Sequence, residues 1–350
     1  MAELLLPGTS TDSDVLSGYT FSSSSSAYNV AGTMINQGSL VNPNAGFYSA
    51  GYYESISFYL SPLADYPVGP ILGLNGGYDD TAGLSYGAMG SASNVIDSLY
   101  GLSSSNVWTT LAANTVTGAA YSASSAFDTS ASLFYIIDGL TSSNSYLSNL
   151  AEYSNTSNAW TAGPNDSEGG RDSLAAAFDT NAALAYAFGG FNGSNVATLT
   201  AYSHSTGSWS TLASLLSAIS DIAGNYFSGL TLTGCAGGST NTSSFTMYSY
   251  TSNAWTAYSS VLETAIINSG IGYLSSTGLV YSFGGLNDSS GMGNAYLVID
   301  AYSFTNNAWT DDTNTLHEHS SLGYLVNTAN ASIVMIAGGE LTAAVEAYKP

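Results

Sequence analysis

The sequence predicts an all-β fold, a six-bladed β-propeller preceded by a small N-terminal β-rich module or arm. Three observations predict it. All five tryptophans, Trp108, Trp160, Trp209, Trp255 and Trp309, stand in one frame, each followed by Thr or Ser and preceded by a short polar cluster. A second marker, a Gly pair or its remnant closing an apolar run, keeps step with them at Gly139, Gly190, Gly238, Gly285 and Gly339. The frame recurs at spacings of 52, 49, 46 and 54 residues.

The tryptophan frame reads SSNVWTT, TSNAWTA, STGSWST, TSNAWTA and TNNAWTD. Tyr153, Tyr202, Tyr248 and Tyr302 each precede their tryptophan by seven residues, whereas Tyr100 precedes Trp108 by eight. The Gly markers end SLFYIIDG, LAYAFGG, LTLTGCAGG, LVYSFGG and SIVMIAGG. Each unit therefore orders as apolar strand, Gly pair, loop, Tyr strand, polar turn, Trp strand. Aromatic and β-branched runs of this length, divided by Gly, Asn and Ser, form short antiparallel strands. Such strands cannot bury their own faces, so the units must stack side by side. A linear β-solenoid also stacks units, but a spacing that varies this much suits the four-stranded blades of a propeller better.

The Gly pair, the Tyr ten to sixteen residues later and the Trp seven beyond it resemble kelch repeats, most clearly in YAFGGFNGSNVATLTAYSHSTGSW at 186–209. The resemblance covers about residues 67–350. It implies four-stranded blades around a central channel. Two departures stand out: Gly139 follows Asp rather than Gly, and the basic residues common in kelch strands are missing.

Six units can be counted. The first has Gly87-Ala88-Met89-Gly90 where the Gly pair belongs, and the sixth ends at Tyr348 without a tryptophan strand. The segment YESISFYLSPL at 53–63 carries an aromatic in the tryptophan slot, so residues 54–61 are expected to complete the sixth blade. A three-stranded sixth blade is the alternative. The domain division expected is thus 1–52 for the N-terminal module and 53–350 for the propeller.

Residues 8–52 do not fit the repeat. DVLSGYTF, GTMINQG and SAGYY resemble a short module of bacteriophage tail and fibre proteins, although Tyr19 stands where that family has Lys and serines stand where it has Gly. The resemblance implies an attachment segment of a virion appendage, with the propeller as its head. It makes other virion proteins the partners of residues 1–52.

Charge limits the partners. Lys and Arg number 2, Asp and Glu 24, and the formal net charge is −22. Such a chain cannot neutralise phosphates, so nucleic acid and anionic membrane are not expected partners. MAELLLPGTS lacks the basic n-region of a secretion signal, and no apolar run approaches the roughly 20 residues of a membrane span. A virion location with release by host lysis fits these features.

The residues offer little chemistry. A sialidase-like site needs an arginine cluster, but Arg171 is the only arginine. A copper site of the galactose-oxidase type needs a Tyr–Cys pair with His ligands, and Cys235 lies in an apolar run that suits a buried structural thiol. His317 and His319, near Asp311 and Asp312, suggest a metal, but the segment reads as an inter-blade loop of solvated side chains. Asp128 and Asp179 begin equivalent Asp-Thr turns in different units, and turn chemistry explains them better than catalysis. No catalytic residue, metal or cofactor is expected, and no ligand-binding residue can be named.

What remains is a surface of Tyr, Asn, Ser and Thr suited to recognising a protein or a host-surface glycan. The expectation is a non-enzymatic virion structural protein, homo-oligomeric, of a tail, fibre or collar. Two alternatives stay open. One is a subunit of an extracellular filament joined through residues 1–52, and the other is a carbohydrate-active propeller enzyme.

Overall fold

The computed structural model describes residues 4–6, 20–23, 26–31, 60–91, 94–239, 244–258, 262, 266–286, 296–319, 323–327, 332–336 and 343–350. The chain divides into two units, Met1–Tyr59 with Pro350, and Leu60–Lys349. In the first, Leu4–Leu6 pairs in parallel with Thr20–Ser23, which pairs antiparallel with Ser26–Ala31. Residues 54–59, most of the segment expected to close the ring, lie outside the described residues, as does Gly339.

The second unit is a ring of six four-stranded antiparallel sheets. Their inner strands are Asn75–Asp79, Ser124–Asp128, Ala175–Asp179, Ala223–Phe227, Gly270–Leu274 and Gly323–Asn327, in blades 1 to 6. Blade 3 shows the pattern: Ala175–Asp179, Leu184–Phe188, Leu199–Ser203 and Ser208–Leu212 hydrogen-bond in sequence order. A two-stranded ribbon, Ala120–Tyr121 with Leu140–Thr141, accompanies blade 2. Among the described residues no helix is long and apolar enough to cross a membrane.

The sixth blade takes its outer strand from the start of the ring. Leu60–Leu63 pairs antiparallel with Val345–Tyr348, Leu60 opposite Tyr348 and Leu63 opposite Val345. The strand overlaps the expected 54–61 at Leu60 and Ser61, runs on to Leu63 and contains Pro62. An outer strand is an edge, where the missing N–H of proline does no harm. Leu60 occupies the register that tryptophan holds in blades 2 to 5, where Tyr153, Tyr202, Tyr248 and Tyr302 face Trp160, Trp209, Trp255 and Trp309. Blade 1 departs from that register, because Trp108 faces Leu102 while Tyr100 faces Thr110.

In the five described pairs the second glycine is a conformational necessity. Gly90, Gly139, Gly190, Gly238 and Gly285 have φ of +115°, +106°, +100°, +121° and +99°, a region only glycine enters without strain. A Cβ on Gly190 would sit 2.7 Å from the Asp172 carbonyl oxygen. The position before it is left-handed at φ near +60° and tolerates other residues, which is why Met89 and Asp138 stand there. Met89-Gly90 is thus the pair of blade 1, and the Asp before Gly139 leaves the turn intact.

The tryptophan frame is a clamp between blades. The indole Nε1 of Trp108, Trp160, Trp209 and Trp255 donates to the carbonyl of Ala64, Ala112, Pro164 and Ala213, in the segment that leaves the preceding blade, at 2.8 to 2.9 Å. Two residues before each tryptophan the chain is left-handed, at Asn106, Asn158, Gly207, Asn253 and Asn307. The side-chain oxygens of Asn106, Asn158 and Asn253 accept the backbone N–H of Ala64, Ala112 and Ala213, the residues whose carbonyls the indoles hold. Both backbone groups of one residue are thus satisfied at once. In blade 3 the clamped residue is Pro164, which has no N–H, and the left-handed position holds Gly207 instead of Asn.

Tyr153, Tyr248 and Tyr302 donate their hydroxyls to the left-handed asparagines Asn158, Asn253 and Asn307, while Tyr202, whose turn has Gly207 in that place, donates to Glu152 of blade 2 at 2.7 Å. Asn158→Gly keeps the left-handed turn but leaves the Ala112 N–H and the Tyr153 hydroxyl unpaired. It should lower stability by about 1–2 kcal/mol. Gly207→Asn, with no N–H to accept, should gain nothing; thermal melts of the two variants check the pair.

The core sits in six clusters, one at each blade junction. Tyr86, Phe134, Tyr153 and Trp160 join blades 1 and 2; Tyr135, Phe178 and Tyr202 join 2 and 3; Tyr186, Phe188, Tyr248 and Trp255 join 3 and 4. Phe227, Phe245, Tyr302 and Trp309 join 4 and 5, and Tyr281, Phe283 and Tyr348 join 5 and 6. Ile71, Leu102, Leu325 and Val345 close the ring between 6 and 1. Edge-to-face rings recur at these junctions, as with Tyr186 and Tyr248 at 5.7 Å and Phe245 and Trp309 at 5.1 Å.

The candidate residues of the sequence mostly serve this frame. Asp79, Asp128 and Asp179 end the inner strands of blades 1 to 3. One carboxylate oxygen accepts two turn N–H groups, and the other accepts the hydroxyl of Tyr86, Tyr135 or Tyr186 at 2.7 to 2.9 Å. Cys235 is buried 2.9 Å from the Thr246 hydroxyl, and burial pushes its thiol up to about 11. His317 and His319 are a correction, because they end the long strand Ala308–His319 rather than lying in a loop, with His319 opposite Tyr296.

Candidate functional site

The six inner strands surround a central cavity of about 900 Å³. Their second position is mostly small, Gly76, Ser125, Ala176 and Gly224, because six backbones converge there. Gly76 shows how closely: a Cβ on it would sit 2.6 Å from the Tyr324 carbonyl oxygen. In blade 6 the same position is Tyr324, whose side chain reaches across to blade 4. Its hydroxyl donates to the Gly224 carbonyl at 2.7 Å and accepts the Gly224 N–H at 3.1 Å. Burial pushes this phenol up to about 12, so it stays a neutral crossbar.

The two ends of the cavity differ. At the inlet rim, where the chain enters each inner strand, Gly73, Ser122, Ser173, Asp221 and Asn268 are all left-handed, with φ between +51° and +62°. Neighbours are linked through the backbone, Asn268 to Asp221, Asp221 to Ser173 and Ser173 to Ser122, at 2.8 to 3.0 Å. This belt fixes the rim without using the side chains.

Asp221 stands at that rim, and Asp172 immediately precedes the rim residue Ser173. Burial raises the Asp172 carboxyl to about 6, with Ser173 pulling it down and Asp221 pushing it up. Burial also raises Asp221, against hydrogen bonds from Ser220 and Ser173. The folded state therefore holds protons that the unfolded chain, with carboxyls near 4, has released. Stability is full below about pH 4 with respect to these groups and falls as pH rises through the folded values. Melting temperature is expected to drop between pH 5 and pH 8. Asp172→Asn should flatten that slope, and substituting the exposed Asp65 by Asn, the same loss of charge, should not.

At the opposite, turn rim the fourth position of the inner strands is aromatic in five blades: Tyr78, Phe127, Phe178, Tyr226 and Tyr273. Just beyond them Asp80, Thr129, Thr180 and Ser228 are exposed and also line the cavity. Phe178 and Tyr226 are buried in the blade junctions, so the half-buried Tyr78, Phe127 and Tyr273 are the rings of this level that can contact a ligand, beside hydroxyls and one carboxylate that can form hydrogen bonds.

No residue of the cavity was named from the sequence. A signal was present, since Tyr78, Phe127 and Phe178 each stand eight residues before the buried Tyr86, Tyr135 and Tyr186. The blade markers lie at the junctions between blades, away from the cavity lining. Among the described residues no group of three His, Cys, Asp or Glu is placed to hold a metal ion.

No family model matches the chain, and no curated protein does. Among solved structures, that of YjhT, a kelch-like propeller, aligns over 82% of this chain and 95% of its own, with a TM-score of 0.67 and 17% identity. At that identity the likeness establishes the six-bladed propeller as a fold and nothing about activity.

Proposed function

We propose that the chain is a non-enzymatic recognition protein of a bacteriophage virion, its propeller the head of a tail, fibre or collar appendage and its N-terminal module the attachment segment. One observation supports the non-enzymatic part above others. The groups that usually carry chemistry are committed to the frame, namely Arg171 to a buried network, Asp79, Asp128 and Asp179 to turns and tyrosines, and Cys235 to the core. The virion part is supported by the resemblance of DVLSGYTF, GTMINQG and SAGYY to phage tail and fibre modules.

Labelling of native particles with an antibody to the propeller, followed by electron microscopy, tests the proposal. Label at a tail or collar of a virion is expected. Label along an unending helical array would instead favour the filament subunit. The enzyme reading draws on the raised carboxyl of Asp172, next to the cavity-lining Ser173, a property a general acid needs. Turnover on a glycan panel, abolished by Asp172→Asn, would establish it.

A further inference from the structure

We propose that the turn rim of the cavity is a binding site for an uncharged saccharide. The inference rests on the recognition reading above and adds to it the place and the chemical class of the ligand. Five aromatic side chains, Tyr78, Phe127, Phe178, Tyr226 and Tyr273, come from five different blades to one level of the cavity. Each packs on one side against the core of a blade junction; Phe178 and Tyr226 are buried there, whereas Tyr78, Phe127 and Tyr273 are half-buried and keep part of the ring in the cavity, held in place by the inner strands.

Junction packing accounts for the buried Phe178 and Tyr226, but not for the half-buried position of Tyr78, Phe127 and Tyr273 on the cavity. Blade 6 fills the same position with Val326, and the second position of most of these strands is small. The exposed Asp80, Thr129, Thr180 and Ser228 each lie two residues after the fourth position of their strand, where the hydroxyls of a stacked sugar would meet donors and acceptors. Aromatic faces beneath a hydroxyl-rich ring match the two surfaces of a pyranose, an apolar C–H face and a polar edge.

Charge decides the class. Arg171 is fully buried in its own network, leaving Lys349, beyond the last strand, as the other basic side chain of the chain. Asp80 puts a carboxylate at the rim, and the formal charge of the whole chain is −22. A sialylated, sulfated or uronic saccharide would enter without a counter-ion and against that field. The Tyr324 crossbar bounds the cavity beneath, which suits the end or a short loop of a glycan better than a continuous chain through the ring.

The full chain is tested on an array of neutral gluco-, galacto-, manno- and N-acetylglucosamine oligosaccharides beside sialylated, sulfated and uronic ones, with hits measured by titration calorimetry. Binding confined to neutral members is expected. Tyr78→Ala should weaken it at least tenfold, and Thr180→Arg, an exposed change that leaves the fold intact, should do the same by filling the mouth. Asp65→Asn, an exposed change outside the cavity lining, should leave affinity within twofold. No neutral ligand, a preference for acidic glycans, or affinity indifferent to Thr180→Arg would overturn the proposal. Particle labelling is read separately, so a virion head without sugar binding would remove this inference and leave the virion reading standing.

Discussion

Replacing Arg171 by Met is expected to destabilise the propeller by about 4 kcal/mol, roughly 8–16 °C in melting temperature. The arginine is fully buried and staples blade 2 to blade 3. Its Nε donates to Asp138 at 3.2 Å, and Nη2 donates to Asp166 at 2.8 Å, to the Thr200 hydroxyl and to the Ala187 carbonyl. Nη1 donates to the Gly189 and Thr198 carbonyls. Methionine fills the volume but leaves two carboxylates without a counter-charge and three carbonyls without this donor.

Lysine keeps the charge with a single nitrogen in place of the fork, so it should recover only part of the loss. Acid gives an independent check. Asp138 already lies well above the usual carboxylate range, first through burial and then through Asp166, against the pull of Arg171. Without the arginine, which pulls it down, the Asp138 carboxyl should rise further. The Met variant should therefore regain stability on acidification more steeply than the parent. Equal slopes from pH 8 to pH 5 would mean that the network is not held by charge.

This network was outside the reach of the sequence. Arg171 was conspicuous as the only arginine, yet nothing in GGRDS says that Asp138, 33 residues earlier, and Thr200, 29 later, meet it. Only the topology of two neighbouring blades brings them together. The tryptophans and glycines were legible for the opposite reason. Each repeats one local task, an indole to a carbonyl or a φ near +100°, and a local task repeated in every blade leaves a periodic trace.

The cavity is intermediate. Its inner strands were recognised as strands, but AAAFD and NGGYD look alike whether they face a channel or a sheet. Which face of a strand points to the axis is fixed by the closed ring, and only then does an aromatic at the fourth position become a collar. The Tyr324 crossbar shows the same limit, because it joins residues 100 positions apart.

Closure of the ring yields the second large effect. Removing residues 1–59 should leave the propeller's melting temperature within about 2 °C, whereas removing residues 1–63 should lower stability by on the order of 3–5 kcal/mol. The four residues that distinguish the truncations form the outer strand of blade 6, and with it go the ladder to Val345–Tyr348 and the packing of Leu63 against the junction of blades 6 and 1. The neighbouring residues Ala64 and Tyr66 are held at the same seam. Trp108 and Asn106 clamp Ala64, and the Tyr66 N–H donates to the Ala343 carbonyl at 2.8 Å.

Without Leu60–Leu63, Val345–Tyr348 becomes an open edge, ready to pair with a strand from another copy. The longer truncation should therefore also self-associate, which analytical ultracentrifugation would detect. The strand joins the two ends of the second unit, Leu60–Lys349, so its loss should speed unfolding more than it slows folding, because so distant a pairing forms late. Stopped-flow unfolding of both truncations separates the cases. If the 1–63 deletion melts and unfolds like the 1–59 deletion, blade 6 is stable with three strands and the ring needs no strand from its beginning.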